Sequence, residues 1–289
     1  GQGTVHLEDI ATVREGYDPE GGLARFNRNR AISLRIAKVA RGSSTGVIDG
    51  IKQEVAAFQQ TMPAGLEISL FKQIPLGAGL GGGSSNAAVT LMALSQLTGC
   101  CLPPVEMSEL AGELGSDVPF FLGGGLAFGW GRGERIERWS GSEPEAELLL
   151  LYPGFEASTK DAYANLHAAD LGNSGLLTRK YPDTTIRRFQ GVLDSRDWGR
   201  FRNDLEQPFF DRSPELRKVL TIFRNAGCDF AGMSGSGSTL FGTGPADALD
   251  RAERECVSQK VGEVIRTRFL TGRDYRGYLG EAGLALPEL

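Results

Sequence analysis

Between Pro75 and Ala88 the chain reads Pro75-Leu76-Gly77-Ala78-Gly79-Leu80-Gly81-Gly82-Gly83-Ser84-Ser85-Asn86-Ala87-Ala88, a composition suited to holding an anion. Glycines let successive backbone N–H groups converge on one point without side chains in the way. A helix expected from Ser84, Ser85 and Asn86 onward adds unpaired N–H groups and the positive end of its dipole. Two further segments carry residue types that could act beside a bound phosphate: the turn Met233-Ser234-Gly235-Ser236-Gly237-Ser238, and the lone acid in Gly115-Ser116-Asp117-Val118-Pro119-Phe120-Phe121. Each has a plainer reading too, the first as a glycine hairpin and the second as a helix-terminal cap or turn residue.

The order within the glycine loop separates it from two commoner nucleotide motifs. It has no Gly-Lys-Ser/Thr ending, and no isolated G-x-G-x-x-G followed about twenty residues later by an acid. That spacing argues against a nicotinamide-dependent oxidoreductase.

The elements around the loop have the order a phosphate site needs. Helical spacing over residues 47–60 stops at Pro63-Ala64-Gly65, alternation over 66–70 predicts a strand, and the glycine loop then runs into a helix over 84–97. A second helix is expected from residue 104 or 105 to 114, ending at Gly115. Strands and glycine turns are expected over 123–138, with a tight turn at Gly131-Arg132-Gly133-Glu134. A shift at Ser140-Gly141-Ser142-Glu143-Pro144-Glu145 reads as a linker, and a buried strand restarts over 147–152. Helices over 183–193, 214–225 and 246–259, a strand-flanked turn within 230–242 and a strand over 261–270 complete the second half. Helices and strands interleave without a strict βαβ period, so the expected class is α+β, with lobes over 1–144 and 145–289. The apolar tail around Leu284 and Leu286 is expected to pack on the first lobe.

The 289 residues suffice for two packed lobes, and a formal charge of −5 excludes a general nucleic-acid or anionic-membrane surface. Arg25, Arg28, Arg30 and Arg35 form a local basic run that reads as a solvated face. No apolar run approaches the ~20 residues of a membrane span, and the first residues carry no signal-peptide core, so the cytoplasm is expected. Cys100, Cys101, Cys228 and Cys256 lack metal-ligand spacing and read as reduced thiols. With His6 and His167 the only histidines, no resident metal site is expected, and a divalent ion would be oxygen-ligated.

The glycine loop, the Asp117 segment and the 233–238 turn together resemble the three characteristic motifs of the GHMP kinases. The doubled glycines before Ser84, Asp117-Val118-Pro119-Phe120-Phe121 and Asn203-Asp204-Leu205-Glu206 resemble most closely the branch that acts on 4-diphosphocytidyl-2-C-methyl-D-erythritol in non-mevalonate isoprenoid synthesis. The resemblance covers roughly residues 66 to 245. It implies a two-lobed fold, with a first lobe like ribosomal protein S5 domain 2 and a ferredoxin-like second lobe. It further implies Mg·ATP as donor, a small alcohol as acceptor, and a monomer or homodimer. By the same resemblance Gly77, Gly79, Leu80, Gly81, Gly82, Gly83, Ser84, Ser85 and Asn86 would wrap the ATP phosphates, and Asp117 would be the catalytic base. Tyr163 would stack on the cytosine, with Gly235, Ser236 and Gly237 flanking the acceptor; the plainer reading of Tyr163 is a core-facing tyrosine on a short helix.

The resemblance weakens before residue 45. The family's Pro-Ala-Lys-x-Asn-Leu strand is missing, and its Gly-Tyr-His turn has only Gly16-Tyr17-Asp18 as a counterpart. Tyr17 is thereby a second candidate for the cytosine, and Arg30 or Lys38 a candidate replacement cation. Removing a charge-stabilising donor costs on the order of 10² in rate. Two other readings therefore stand beside the leading one: a GHMP kinase of another alcohol, such as homoserine or mevalonate, and a nucleotide-binding protein with impaired catalysis.

Overall fold

The computed structural model describes residues 72–100, 102–164, 189, 191–192 and 201–284, and the backbone of two short strands, β1 (Arg25–Phe26) and β2 (Asn29–Arg30), which pair antiparallel. Tyr17, Lys38, the helix expected over 47–60 and the strand expected over 66–70 lie outside the described residues.

Helix α1 (Gly82–Leu97) begins two residues earlier than the serines suggest. Gly81 is its N-cap at φ 65°, and the first intrahelical bond runs from Ser85 N to Gly81 O at 2.9 Å. The donors left without an intrahelical acceptor are therefore on Gly81, Gly82, Gly83 and Ser84, while that of Asn86 lies within the helix ladder. Glycines in a first turn are poor helix formers, so packing supports this start. Ile74 sits against Gly82 and the Phe121 ring against Gly81, where an added Cβ would meet them at 2.9 and 2.6 Å.

Helix α2 (Pro104–Leu114) starts with proline in its first turn, where no N–H is needed, and stops at Gly115. A 3₁₀ turn, Val118–Leu122, follows at once. Strands β3 (Ala127–Trp130) and β4 (Arg135–Arg138) form a hairpin across Gly131 and Gly133. Residues 140–146 carry no regular structure.

The second lobe is a four-stranded antiparallel sheet in the order β6-β7-β5-β8, made of β5 (Glu147–Tyr152), β6 (Phe230–Met233), β7 (Leu240–Thr243) and β8 (Glu263–Arg268). Short helices α3 (Thr159–Ala164) and α4 (Glu206–Arg212) and helix α5 (Arg217–Asn225) lie between β5 and β6. Helix α6 (Ala246–Ser258) joins β7 to β8. The first strand of this βαββαβ run sits between the third and the fourth, which is the ferredoxin-like order. The helix expected over 214–225 is a 3₁₀ turn, Pro214–Leu216, running into α5. Residues 189, 191 and 192 are helical, within the helix expected over 183–193.

Burial follows the amphipathic faces. Val219 and Phe223 of α5 and Leu249, Ala252 and Cys256 of α6 close over Leu149 and Leu151 of β5. A second core joins Ala88 and Met92 of α1, Met107 and Ala111 of α2, Val118 and Leu122. It also takes in Leu279 and Leu284 from the far end of the chain, where helix α7 (Gly272–Glu281) packs on the first lobe. The sequence reading missed α7. Its local signal is Thr271, whose hydroxyl accepts the Asp274 N–H at 3.1 Å as a cap. Among the described residues no helix is long and apolar enough to cross a membrane.

Candidate active site

Gly77, Gly79 and Gly81 all take positive φ, at 60°, 72° and 65°, so the loop zigzags in a way L side chains rarely adopt. Gly79 shows what the conformation achieves. A Cβ there would lie 2.2 Å from Ser234 O and 2.7 Å from Gly237 O, because the 233–238 turn is pressed backbone to backbone against the loop. The Ser234 hydroxyl donates to Gly79 O at 2.8 Å, Thr239 N–H to Ala78 O at 3.1 Å and Ala157 N–H to Gly77 O at 2.9 Å. With its carbonyls turned outward to these partners, the loop leaves the N–H groups of α1's first turn free for a ligand. Gly83, exposed in that turn, has nothing within 4 Å of where a Cβ would be.

The turn between β6 and β7 is thus a hairpin and also the back wall of the loop. Asn203 buttresses it, its side-chain amide donating to Met233 O at 3.0 Å and to Gly235 O at 2.7 Å, while its Oδ1 accepts from Leu205 N–H. Glu206 accepts the Met233 N–H at 2.8 Å. Burial raises the Glu206 carboxyl above its ordinary range, against the opposing pull of that N–H and of the Arg224 and Arg217 charges. Neither residue was given a role from sequence. The available signal was their place in a motif shared with the family.

Asp117 lies in the turn before the Val118–Leu122 3₁₀ helix, at its N-cap position, and makes no side-chain cap bond, so of the plainer readings the cap does not hold and the turn residue does. It is exposed, with buried Val118 and Pro119 directly behind it. Gly133 stands beside it, 3.8 Å separating Asp117 Oδ1 from the position a Cβ would take, so the β3–β4 turn leaves the carboxylate uncovered. Through Phe121, packed on Gly81, the segment bearing Asp117 is fixed to the glycine loop.

Tyr163 is 61% exposed, and its neighbour Ala162 takes the buried place, so the core-facing reading does not hold. Its helix meets the second glycine turn, the Thr159 and Ser236 hydroxyls being 2.9 Å apart, and Glu156, three residues before the helix, lies against Gly77. Lys72, five residues before Gly77, was also missed. It is 9% exposed, and burial lowers the pKa of its ammonium.

Among the described residues no group of three or more His, Cys, Asp or Glu could hold a metal ion. The loop and the segments against it carry oxygen donors, among them the Ser84, Ser85 and Ser234 hydroxyls and Glu156 beside Gly77, with the Asp117 carboxylate on the turn tied to the loop by Phe121. This hard set fits Mg²⁺ that keeps most of its shell from water and phosphate oxygens.

The model of the GHMP kinases N terminal domain matches residues 37–125, and that of the GHMP kinases C terminal region matches 190–261. A 4-diphosphocytidyl-2-C-methyl-D-erythritol kinase of Syntrophus aciditrophicus (strain SB) is 40% identical over 259 residues, 89% of this chain and 88% of the relative. One from Persephonella marina (strain DSM 14350 / EX-H1) is 33% identical over 266 residues, 90% of each. A crystal structure of 4-(cytidine 5'-diphospho)-2C-methyl-D-erythritol kinase superimposes with a TM-score of 0.59 at 30% identity, covering 82% of both chains. Matched in both lobes and along nearly the whole length of such relatives, the chain belongs to the GHMP kinases and is a small-molecule kinase.

Proposed function

We propose that the protein transfers the γ-phosphoryl group of ATP to a hydroxyl of 4-diphosphocytidyl-2-C-methyl-D-erythritol, a step in making isoprenoid precursors without mevalonate. The observation that carries the phosphoryl chemistry is the start of α1, where the N–H groups of Gly82, Gly83 and Ser84 have no intrahelical acceptor and Gly83 faces open space, after a loop backed by the 233–238 turn and tied through Phe121 to the segment bearing Asp117. The acceptor is argued from the names of the relatives and from exposed Tyr163, on the short helix whose Thr159 meets Ser236.

In this reading Gly77, Gly79, Leu80, Gly81, Gly82, Gly83, Ser84, Ser85 and Asn86 form the ATP cradle, backbone donors meeting the phosphates and the α1 dipole adding positive potential. Asp117 orients the acceptor hydroxyl and accepts its proton as the new O–P bond forms. The bond from the γ-phosphorus to its bridging oxygen breaks, and ADP departs. Mg²⁺, held by the triphosphate with the Ser84 or Ser85 hydroxyl or Asp117, would neutralise phosphate charge and keep the reacting oxygens in line. A buried ammonium is costly without a counter-charge, and the Lys72 charge is one that phosphates would offset. Tyr163 stacks on the cytosine, and Gly235, Ser236 and Gly237 line the acceptor side. The working unit is a monomer or homodimer in the cytoplasm.

³¹P NMR of the protein with Mg·ATP and this acceptor tests the reading. A new phosphomonoester resonance is expected, slowed by about 10²-fold or more in Asp117→Asn. Bound ATP without any phosphorylated acceptor would overturn the assignment.

A further inference from the structure

Helix α7 comes from late in the chain yet packs in the first lobe, and one of its side chains holds Phe121, the residue through which the two catalytic segments meet. Tyr275 Oη donates to Phe121 O at 2.6 Å, within the 3₁₀ turn that begins after Asp117. The ring of that same Phe121 packs on Gly81, the N-cap of α1. We propose that Tyr275 is a positioning residue for phosphoryl transfer, its single hydroxyl setting the distance between the Asp117 turn and the phosphate-binding end of α1.

The surroundings are built to hold that ring. Gly124 permits its approach, since a Cβ there would lie 2.4 Å from Tyr275 Cδ1. Arg138, beneath it, donates to Gly124 O at 2.7 Å and to Phe120 O at 3.4 Å, pinning the other side of the same turn. The start of α7 is anchored by Glu143, whose two carboxylate oxygens accept Gly272 N–H at 2.6 Å and Leu126 N–H at 2.5 Å. Burial pushes the Tyr275 phenol up to about 12, with the Arg138 charge and the Ser85 hydroxyl acting the other way. The group therefore remains a proton donor at any pH where the protein works.

The inference rests on the kinase reading. ATP and acceptor each meet an intact half-site when this hydroxyl is gone. What changes is the registry between γ-phosphorus and acceptor oxygen, which matters only when both react. Tyr275→Phe removes the oxygen and keeps the ring. The expected result is a kcat lowered by about 10-fold or more, both KM values within twofold of wild type and nucleotide stoichiometry unchanged. Leu279→Ala, which weakens the same helix through packing alone, serves as the control, with a lower melting temperature and kcat within twofold. A Tyr275→Phe kcat within twofold of wild type overturns the proposal. So does a kcat loss matched by lost nucleotide stoichiometry, or one that Leu279→Ala reproduces. If wild type itself forms no phosphorylated product, the kinase assignment fails instead, a result distinguishable from all of these.

Discussion

Replacing Gly83 with alanine should move stability and function in opposite directions. Gly83 lies in the first turn of α1 without a positive φ, is exposed, and has nothing within 4 Å of a new Cβ. Restricting the unfolded chain there should therefore stabilise the fold by about 0.4–1 kcal/mol, a rise of roughly 1–3 °C in melting temperature for a chain of this size. If ATP phosphates occupy that open space, the methyl group displaces them from the adjacent N–H donors. Losing one charge-assisted hydrogen bond costs about 1.5–3 kcal/mol, so ATP should bind roughly 10- to 150-fold more weakly. Thermal unfolding without nucleotide and calorimetric titration with Mg·ATP read the two effects separately. A variant that is stabilised and still binds ATP as wild type does would refute the placement of the phosphates over this turn. One that is destabilised would refute the open space itself.

Gly79→Ala is the contrasting case: φ is 72° and the new Cβ would run into Ser234 O and Gly237 O, so urea unfolding should show a loss of at least about 2 kcal/mol, and an unchanged midpoint would contradict the backbone apposition. Tyr163→Ala should raise KM for the cytidylyl acceptor by roughly 5- to 150-fold, the worth of one stacked base at about 1–3 kcal/mol, with KM for ATP and the melting temperature unmoved. An acceptor KM that did not change would remove Tyr163 from the base site. Glu206 supplies a pH prediction. Its carboxyl is raised in the folded state, chiefly by burial, so the native protein holds that proton more tightly than the unfolded chain. The resulting stability is fully present below the ordinary carboxyl range and is lost as pH rises through the folded value. Glu206→Gln keeps an oxygen for Met233 N–H and should flatten that decline in urea midpoints measured from about pH 4 to about pH 8. An unaltered slope would assign the decline to other groups.

Part of the site was readable one residue at a time. The glycine loop, the place of Asp117 after a helix stop, the β5 strand and helices α1, α2 and α6 all follow from local rules: periodicity, proline at a helix start, glycine at its end. Where the local rules competed, packing decided. Serine is the better capping residue than glycine, which favours a start for α1 at Ser84, yet Ile74 and Phe121 close on Gly82 and Gly81 and begin the helix two residues earlier. That shift moves the free donors from Asn86 to the three glycines and Ser84.

By itself the sequence determined the kind of protein: an α+β chain with an anion-binding loop, one well-placed acid and the motifs of a GHMP kinase, because glycine freedom, charge and spacing are properties of residue type and order. Only the tertiary structure decided how those motifs meet. Ser234 bonds Gly79 across 155 positions, Tyr275 bonds Phe121 across 154, and Asn203 and Glu206 grip a turn about thirty positions away. Contacts between distant positions depend on which apolar faces are buried together, here α1, α2 and α7 in one core and the β5 sheet with α5 and α6 in the other. No local pattern encodes that choice. It follows from the cooperative burial of both cores, which brings the acid, the loop and the supporting turn to one place.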